Sequence, residues 1–193
     1  FLYFDLAFMV WVILGPLGVG IAKDLGLSHA EKGLMVATPV LAGALLRIVM
    51  GILVDRLSPK KAAIIGQVVV IGAMLYAWLV GVHSYGEVLV LGLFLGVAGA
   101  SFAAALPLAS RWYPAEHQGT AMGIAGAGNS GTALAALFAP GLAAAFGWTN
   151  VFGIVLIPLV IVLIAFVFMA KDAPDAPPPK TLAEYLKVLK DKD

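Results

Sequence analysis

The sequence predicts an all-α membrane protein built as a six-helix bundle, and three observations support this fold class. Of the 193 residues, 62% are hydrophobic and only 12% are charged, whereas soluble domains carry about 25% charged residues. The mean hydropathy is +1.00. Six apolar runs separated by short polar connections are each long enough, at roughly 20 residues, to cross a bilayer as a helix.

The six runs define two parts of the chain. Spans 1 to 6 are predicted at 1–22, 32–54, 62–82, 88–112, 120–146 and 151–170, so residues 1–170 form the transmembrane bundle. Residues 171–193 begin with prolines that favour a stiff spacer. A capping-box pattern at Thr181 and Glu184 then opens an apolar stripe with helical spacing. We therefore predict a cytoplasmic Pro-rich linker and a short amphipathic helix, or alternatively the start of a linker to another domain.

Lysine and arginine residues predict the orientation, because loops on the cytoplasmic side carry more of them. Two basic residues, Lys23 and Lys32, lie on one side of the spans. Nine lie on the other side, namely Arg56, Lys60, Lys61, Arg111, Lys171, Lys180, Lys187, Lys190 and Lys192. We expect a multi-pass protein of the cell inner (plasma) membrane with both termini in the cytoplasm.

Composition also argues against several function classes. The chain has no cysteine, which excludes disulfides, thiol catalysis and thiolate metal sites. A net charge of +1 gives no support for nucleic-acid binding. The three histidines fall in polar connections without a second ligand at metal spacing. Ser101 and Ser130 have no histidine, lysine or acid beside them in sequence. We predict neither enzyme activity nor a metal or other cofactor.

A polar layer inside the bundle is the candidate binding site. Arg47 lies within apolar span 2, where an unpaired guanidinium costs several kcal/mol. With a rise of 1.5 Å per residue, Arg47, Asn129, Phe102 and Phe8 lie about 10–15 Å from the same end of their spans. Arginine offers a planar fork of donors, asparagine adds a neutral donor, and phenylalanine rings exclude water. The layer therefore favours a small planar anion.

Other interpretations of these residues remain open at this point. Arg47 can extend toward the lipid headgroups, Asn129 can join two helices, and each phenylalanine can serve packing alone.

Small residues recur every four positions in span 5, at Gly119, Gly123, Ala127 and Gly131. Such a face either allows close helix contact or lines a pore.

The stretch GILVDRLSPKK (51–61) resembles the signature of the loop between helices 2 and 3 in the major facilitator superfamily. Gly51, Asp55 and Arg56 match that signature, while Ser58 and Pro59 depart from it. The resemblance implies a conformational role, in which Asp55 and Arg56 latch helix ends in one state of an alternating-access cycle.

Two further stretches resemble the nitrate/nitrite porter family of that superfamily: PVLAGALLR (39–47) and the glycine-rich GIAGAGNSG (123–131). The resemblance implies that Arg47 is the anion ligand, Asn129 a second contact, and Phe8 and Phe102 the walls of the site. It also implies that glycines let the helices slide and rock, here Gly123, Gly126, Gly128 and Gly131.

The same resemblance implies the N-terminal half of a transporter, with three helices repeated in inverted orientation. Since the chain begins at Phe1 and has one such half, we expect a second six-helix half in the same chain or in a second subunit. The expected function is nitrate uptake, nitrite exchange, or both. The alternatives are a carrier for another small anion, a membrane-embedded enzyme, and a non-transporting scaffold or sensor. Coupling is undecided, because no carboxylate or histidine lies deep in any span, and the nearest one is Asp5, close to the cytoplasmic end of span 1.

Overall fold

The computed structural model describes residues 1–174, and within them six helices are long and apolar enough to cross a membrane. Spans 1 to 6 are Leu2–Asp24, His29–Arg56, Pro59–Leu79, Tyr85–Ser110, Ala115–Phe146 and Trp148–Met169. The predicted six-helix fold is confirmed. The predicted amphipathic helix from Thr181 onward lies outside the described residues.

Serine side chains determine where three of the spans begin. At span 2, Glu31 N donates to Ser28 Oγ at 3.3 Å, and Ser28 N donates to the Glu31 carboxylate at 2.8 Å. This reciprocal pair is a capping box, which satisfies two donors that a helix start leaves free. Ser58 and Ser84 cap spans 3 and 4 through one backbone N–H each. Span 5 begins directly after Pro114, five residues ahead of the predicted position 120.

Three spans are interrupted near their middle. Span 1 consists of Leu2–Trp11 and Leu14–Asp24, span 4 of Tyr85–Ala100 and Phe102–Ser110, and span 5 contains a 3-10 segment at Ala127–Ser130.

The interruption in span 1 has a direct cause in the sequence. Pro16 has no N–H for the carbonyl of Val12, which instead accepts from Gly15 N at 2.9 Å. Irregular backbone is tolerated at membrane depth where protein or a cavity surrounds it. The break in span 1 is therefore compatible with a helix that crosses the membrane.

Span 2 packs closely on span 4 through glycines. A Cβ built on Gly96 would lie 2.9 Å from Gly43 N, and one on Gly92 would lie 3.2 Å from the Thr38 side chain. Such small residues let two helix backbones approach, as is common in membrane bundles. The contact brings Arg47 of span 2 next to the interruption in span 4.

Spans 2 and 5 are the most exposed helices of the described bundle. Only 22% and 17% of their apolar stretches are buried, compared with 61% in span 1 and 56% in span 4. Their exposed side chains are large and apolar, for example Leu45 and Ile48 in span 2 and Leu137 and Phe138 in span 5. Spans 1 and 4 thus form the centre of the bundle, while spans 2 and 5 offer apolar surface to lipid or to another protein unit.

Candidate functional site

Arg47 lies between two aromatic rings. Its guanidinium carbon is 5.1 Å from the ring centroid of Phe102 and 5.6 Å from that of Trp11. Its Nε donates a long hydrogen bond of 3.5 Å to the carbonyl of Gly99. No carboxylate in residues 1–174 lies within ion-pair distance of it. The guanidinium is therefore held by ring faces and one carbonyl, and it keeps donors available for an anion.

Trp11 occupies a slot made by glycines of two helices. Its Nε1 donates to the carbonyl of Pro39 at 2.7 Å. A Cβ built on Gly43 would lie 2.7 Å from that nitrogen, and a Cβ on Gly99 would overlap the indole. Any larger residue at either position would displace the ring. Spans 1, 2 and 4 therefore meet at Trp11, directly beside Arg47.

The phenylalanine rings form a row that continues from this slot. Phe8 is buried, with its ring centroid 4.9 Å from Trp11 and 4.2 Å from Phe4. Phe4 in turn is 5.6 Å from Phe102. The structure thus places Phe102 directly against Arg47, whereas Phe8 contacts Trp11 and Phe4. The sequence predicts Phe8 and Phe102 as site residues but not Trp11 or Phe4, although Phe4, Phe8 and Trp11 share one helix face by their spacing.

Asn129 lies apart from these contacts. It belongs to the 3-10 segment of span 5, and its side chain is exposed. Its backbone carbonyl accepts a hydrogen bond from Thr132 Oγ1 at 2.8 Å. No contact found within residues 1–174 joins its side chain to Arg47, Phe8 or Phe102. The structure therefore brings Arg47 and Phe102 together and leaves Asn129 on an open face.

The glycine-rich part of span 5 has two different environments. A Cβ on Gly128 would lie 3.0 Å from Asp5 N, and a Cβ on Gly131 would overlap the carbonyl of Asp5. By contrast, a Cβ on Gly123 or Gly126 would meet no described atom within 4 Å. Close helix contact thus explains Gly128 and Gly131, while Gly123 and Gly126 border open space.

The end of the bundle that carries Asp55 contains an ion pair between helices. Arg111 Nη2 lies 3.6 Å from Asp55 Oδ1, joining the end of span 4 to the end of span 2. Arg56 is exposed, and a Cβ on Gly51 would meet nothing within 4 Å among the described atoms. Asp55 thus contacts Arg111 across spans 2 and 4, and the role of Asp55 and Arg56 as a latch stays a prediction.

Comparison with known proteins agrees with this architecture. The Major Facilitator Superfamily model matches residues 1–192. The probable nitrate/nitrite transporter NarK2 of Mycobacterium tuberculosis is 40% identical over 171 residues, which are 86% of this chain and 42% of that protein. The nitrite extrusion protein of Bacillus subtilis is 35% identical over 154 residues, or 80% of this chain and 38% of that protein.

A solved structure shares the fold. It is a bacterial homologue of the human lysosomal transporter Spinster, in an inward-facing and unoccupied conformation, and it aligns with a TM-score of 0.76 at 20% identity. The alignment covers 95% of this chain and 44% of that chain. The chain therefore spans less than half the length of these relatives. With a family match over nearly its whole length, the chain belongs to the Major Facilitator Superfamily.

Proposed function

We propose that the chain is the N-terminal half of a nitrate/nitrite transporter that works by alternating access and performs nitrate uptake, nitrate/nitrite exchange, or both. The observation that carries the proposal is Arg47, which is half-buried between Trp11 and Phe102 without a carboxylate partner in residues 1–174. A membrane helix with an ionisable side chain in such a position is a strong candidate for substrate recognition.

The chemistry of this site suits a small planar anion. A guanidinium presents its donors in one plane and matches coplanar oxygen atoms. The ring faces of Phe102 and Trp11 lie beside it, so they keep water from part of its surface, and lower hydration strengthens the attraction between charge and anion. Nitrate and nitrite are planar and singly charged. The names of the relatives, a probable nitrate/nitrite transporter and a nitrite extrusion protein, support the same substrates.

A second six-helix half completes the site in this proposal. The two most exposed helices, spans 2 and 5, carry Arg47 and Asn129. A partner unit against these spans would cover their apolar side chains and close the space next to Gly123 and Gly126. Asn129 then contributes a second donor to the anion. The same proposal places the bundle in the inner membrane with both termini in the cytoplasm. This orientation is inferred from the basic residues at the end of the bundle that carries Asp55, because basic residues are more frequent on the cytoplasmic side.

Transport by the complete protein in liposomes tests this function. Vesicles loaded with nitrite and placed in external nitrate should show saturable nitrate uptake, whereas protein-free vesicles should not. Uptake that needs internal nitrite indicates exchange, and uptake driven by a pH gradient without nitrite indicates proton symport. If nitrate is neither transported nor able to compete with a transported anion, the proposal fails and a carrier for another small anion replaces it.

A further inference from the structure

Asp5 is a buried carboxylate in the membrane part of the bundle. Its exposed fraction is 5%, and no other acidic side chain in residues 1–174 is buried. A buried carboxylate loses its hydration and is retained only where groups of the protein compensate. The contacts of Asp5 therefore indicate what it does.

The partner of Asp5 is a hydroxyl of span 5. Ser130 Oγ lies 2.6 Å from Asp5 Oδ1 and 2.8 Å from the carbonyl oxygen of Ala127. A hydroxyl has a single proton to donate, and the shorter contact to the carboxylate is the stronger of the two. Asp5 thus fastens span 1 to span 5 at the residue that follows Asn129.

Backbone contacts reinforce this connection on both sides of Asn129. Gly128 and Gly131 lie so close to the backbone of Asp5 that a Cβ on either residue would collide with it or press against it. The segment Ala127–Ser130, which contains Gly128 and ends directly before Gly131, is a 3-10 turn, whose hydrogen bonds have poorer geometry than those of an α-helix. Its conformation therefore depends on the surface of span 1 on which it lies.

We propose that Asp5 is a positioning residue. Through Ser130 it holds the segment Ala127–Ser130 on span 1, so that Asn129 keeps the orientation needed to contact the anion. This inference rests on the proposed function, since it concerns the second anion contact.

Nitrate transport by variants of the complete protein tests the inference. Ser130→Ala and Asp5→Ala should each raise KM about tenfold, the effect of one lost charge-assisted hydrogen bond, with turnover per folded transporter nearly unchanged. The double variant should be no worse than either single variant, because both remove the same interaction. Asp5→Asn keeps an acceptor oxygen of the same shape and should stay within about twofold of wild type. Ser110→Ala, which removes a hydroxyl from span 4, is the control.

Several results would overturn the inference. Unchanged KM in both alanine variants would reduce the contact to a structural one, and additive effects would show that Asp5 and Ser130 act separately. If Asp5→Asn loses uptake driven by a pH gradient but keeps nitrate/nitrite exchange, Asp5 carries a proton instead of positioning Asn129.

Hydrogen exchange of the purified protein separates this inference from the proposed function. Ser130→Ala should speed amide exchange in Ala127–Ser130, whatever the substrate is. Absent nitrate transport in the wild type overturns the proposed function. Unchanged amide hydrogen exchange of Ala127–Ser130 in the Ser130→Ala variant overturns the role of Asp5.

Discussion

Arg111 Nη2 lies 3.6 Å from Asp55 Oδ1 and connects the ends of spans 4 and 2. Both side chains are about one quarter exposed, at 23% and 27%, so water weakens their attraction. We therefore expect the pair to contribute little to stability and to act mainly on the relative motion of spans 2 and 4 during the transport cycle.

Removing this ion pair should change transport more than stability. Asp55→Asn and Arg111→Gln should each lower the free energy of unfolding by less than about 1 kcal/mol, while the maximal transport rate changes several-fold at unchanged KM. Thermal unfolding and transport kinetics on the same preparations measure both quantities. A large change in KM with an unchanged maximal rate would show that the pair acts on the binding site itself.

Span 5 offers a matched test of the glycine contacts. Gly131→Ala should strongly reduce the yield of folded protein, because the new Cβ would overlap the backbone carbonyl of Asp5, which cannot rotate away. Gly123→Ala should give a much higher yield than Gly131→Ala, because a Cβ there meets no described atom within 4 Å and alanine favours the helix. Size-exclusion chromatography of detergent extracts measures the folded fraction. Equal yields from the two variants would contradict the packing of span 5 on span 1.

The six-helix fold could be predicted because hydropathy is a local property of the sequence. Arg47 could be identified for the same reason, since one charge inside an apolar run is visible without a structure. Trp11 and Ser130 could not be identified as site residues from the sequence, because their roles depend on which helices touch. The slot for Trp11 is made by Gly43 and Gly99, residues far apart in the chain, and its depth is set by two helix backbones.

The glycines of span 5 show the same limit. A spacing of four residues places them on one helix face, but it cannot tell which neighbour that face meets. The interruption of span 5 at Ala127–Ser130 turns the later part of that face. As a result Gly131 contacts span 1, while Gly123 borders open space.

Trp11 should control the affinity of the site through Arg47. Trp11→Leu removes both the ring face beside the guanidinium and the hydrogen bond to Pro39, and KM for nitrate should rise about tenfold or more. Trp11→Phe keeps a ring and should have an intermediate KM. Trp78→Phe makes the same chemical change at a tryptophan bonded to Asn150, remote from Arg47, and should leave KM unchanged. Equal KM values for Trp11→Leu and wild type would exclude Trp11 from the site.

Orientation can be measured with single cysteines, because the chain has none of its own. Ser58→Cys should react with a membrane-impermeant reagent only when the cytoplasmic side is accessible, and Ser84→Cys only from outside. The two positions cap opposite ends of the bundle, at the starts of spans 3 and 4. Reversed labelling would contradict the orientation predicted from the basic residues.

Arg47→Lys shows whether the planar guanidinium, and not its charge alone, binds the anion. Lysine keeps the positive charge but presents a compact, strongly hydrated ammonium instead of a planar fork, so it cannot match a planar anion or the adjoining ring faces equally well. A charge-assisted hydrogen bond lost in a desolvated site costs about 1.5–3 kcal/mol, or about one to two orders of magnitude in affinity. Nitrate uptake by the complete transporter at matched membrane expression should therefore fall severely. Uptake by the lysine variant close to that of the wild type would contradict the assignment of Arg47 as the anion ligand.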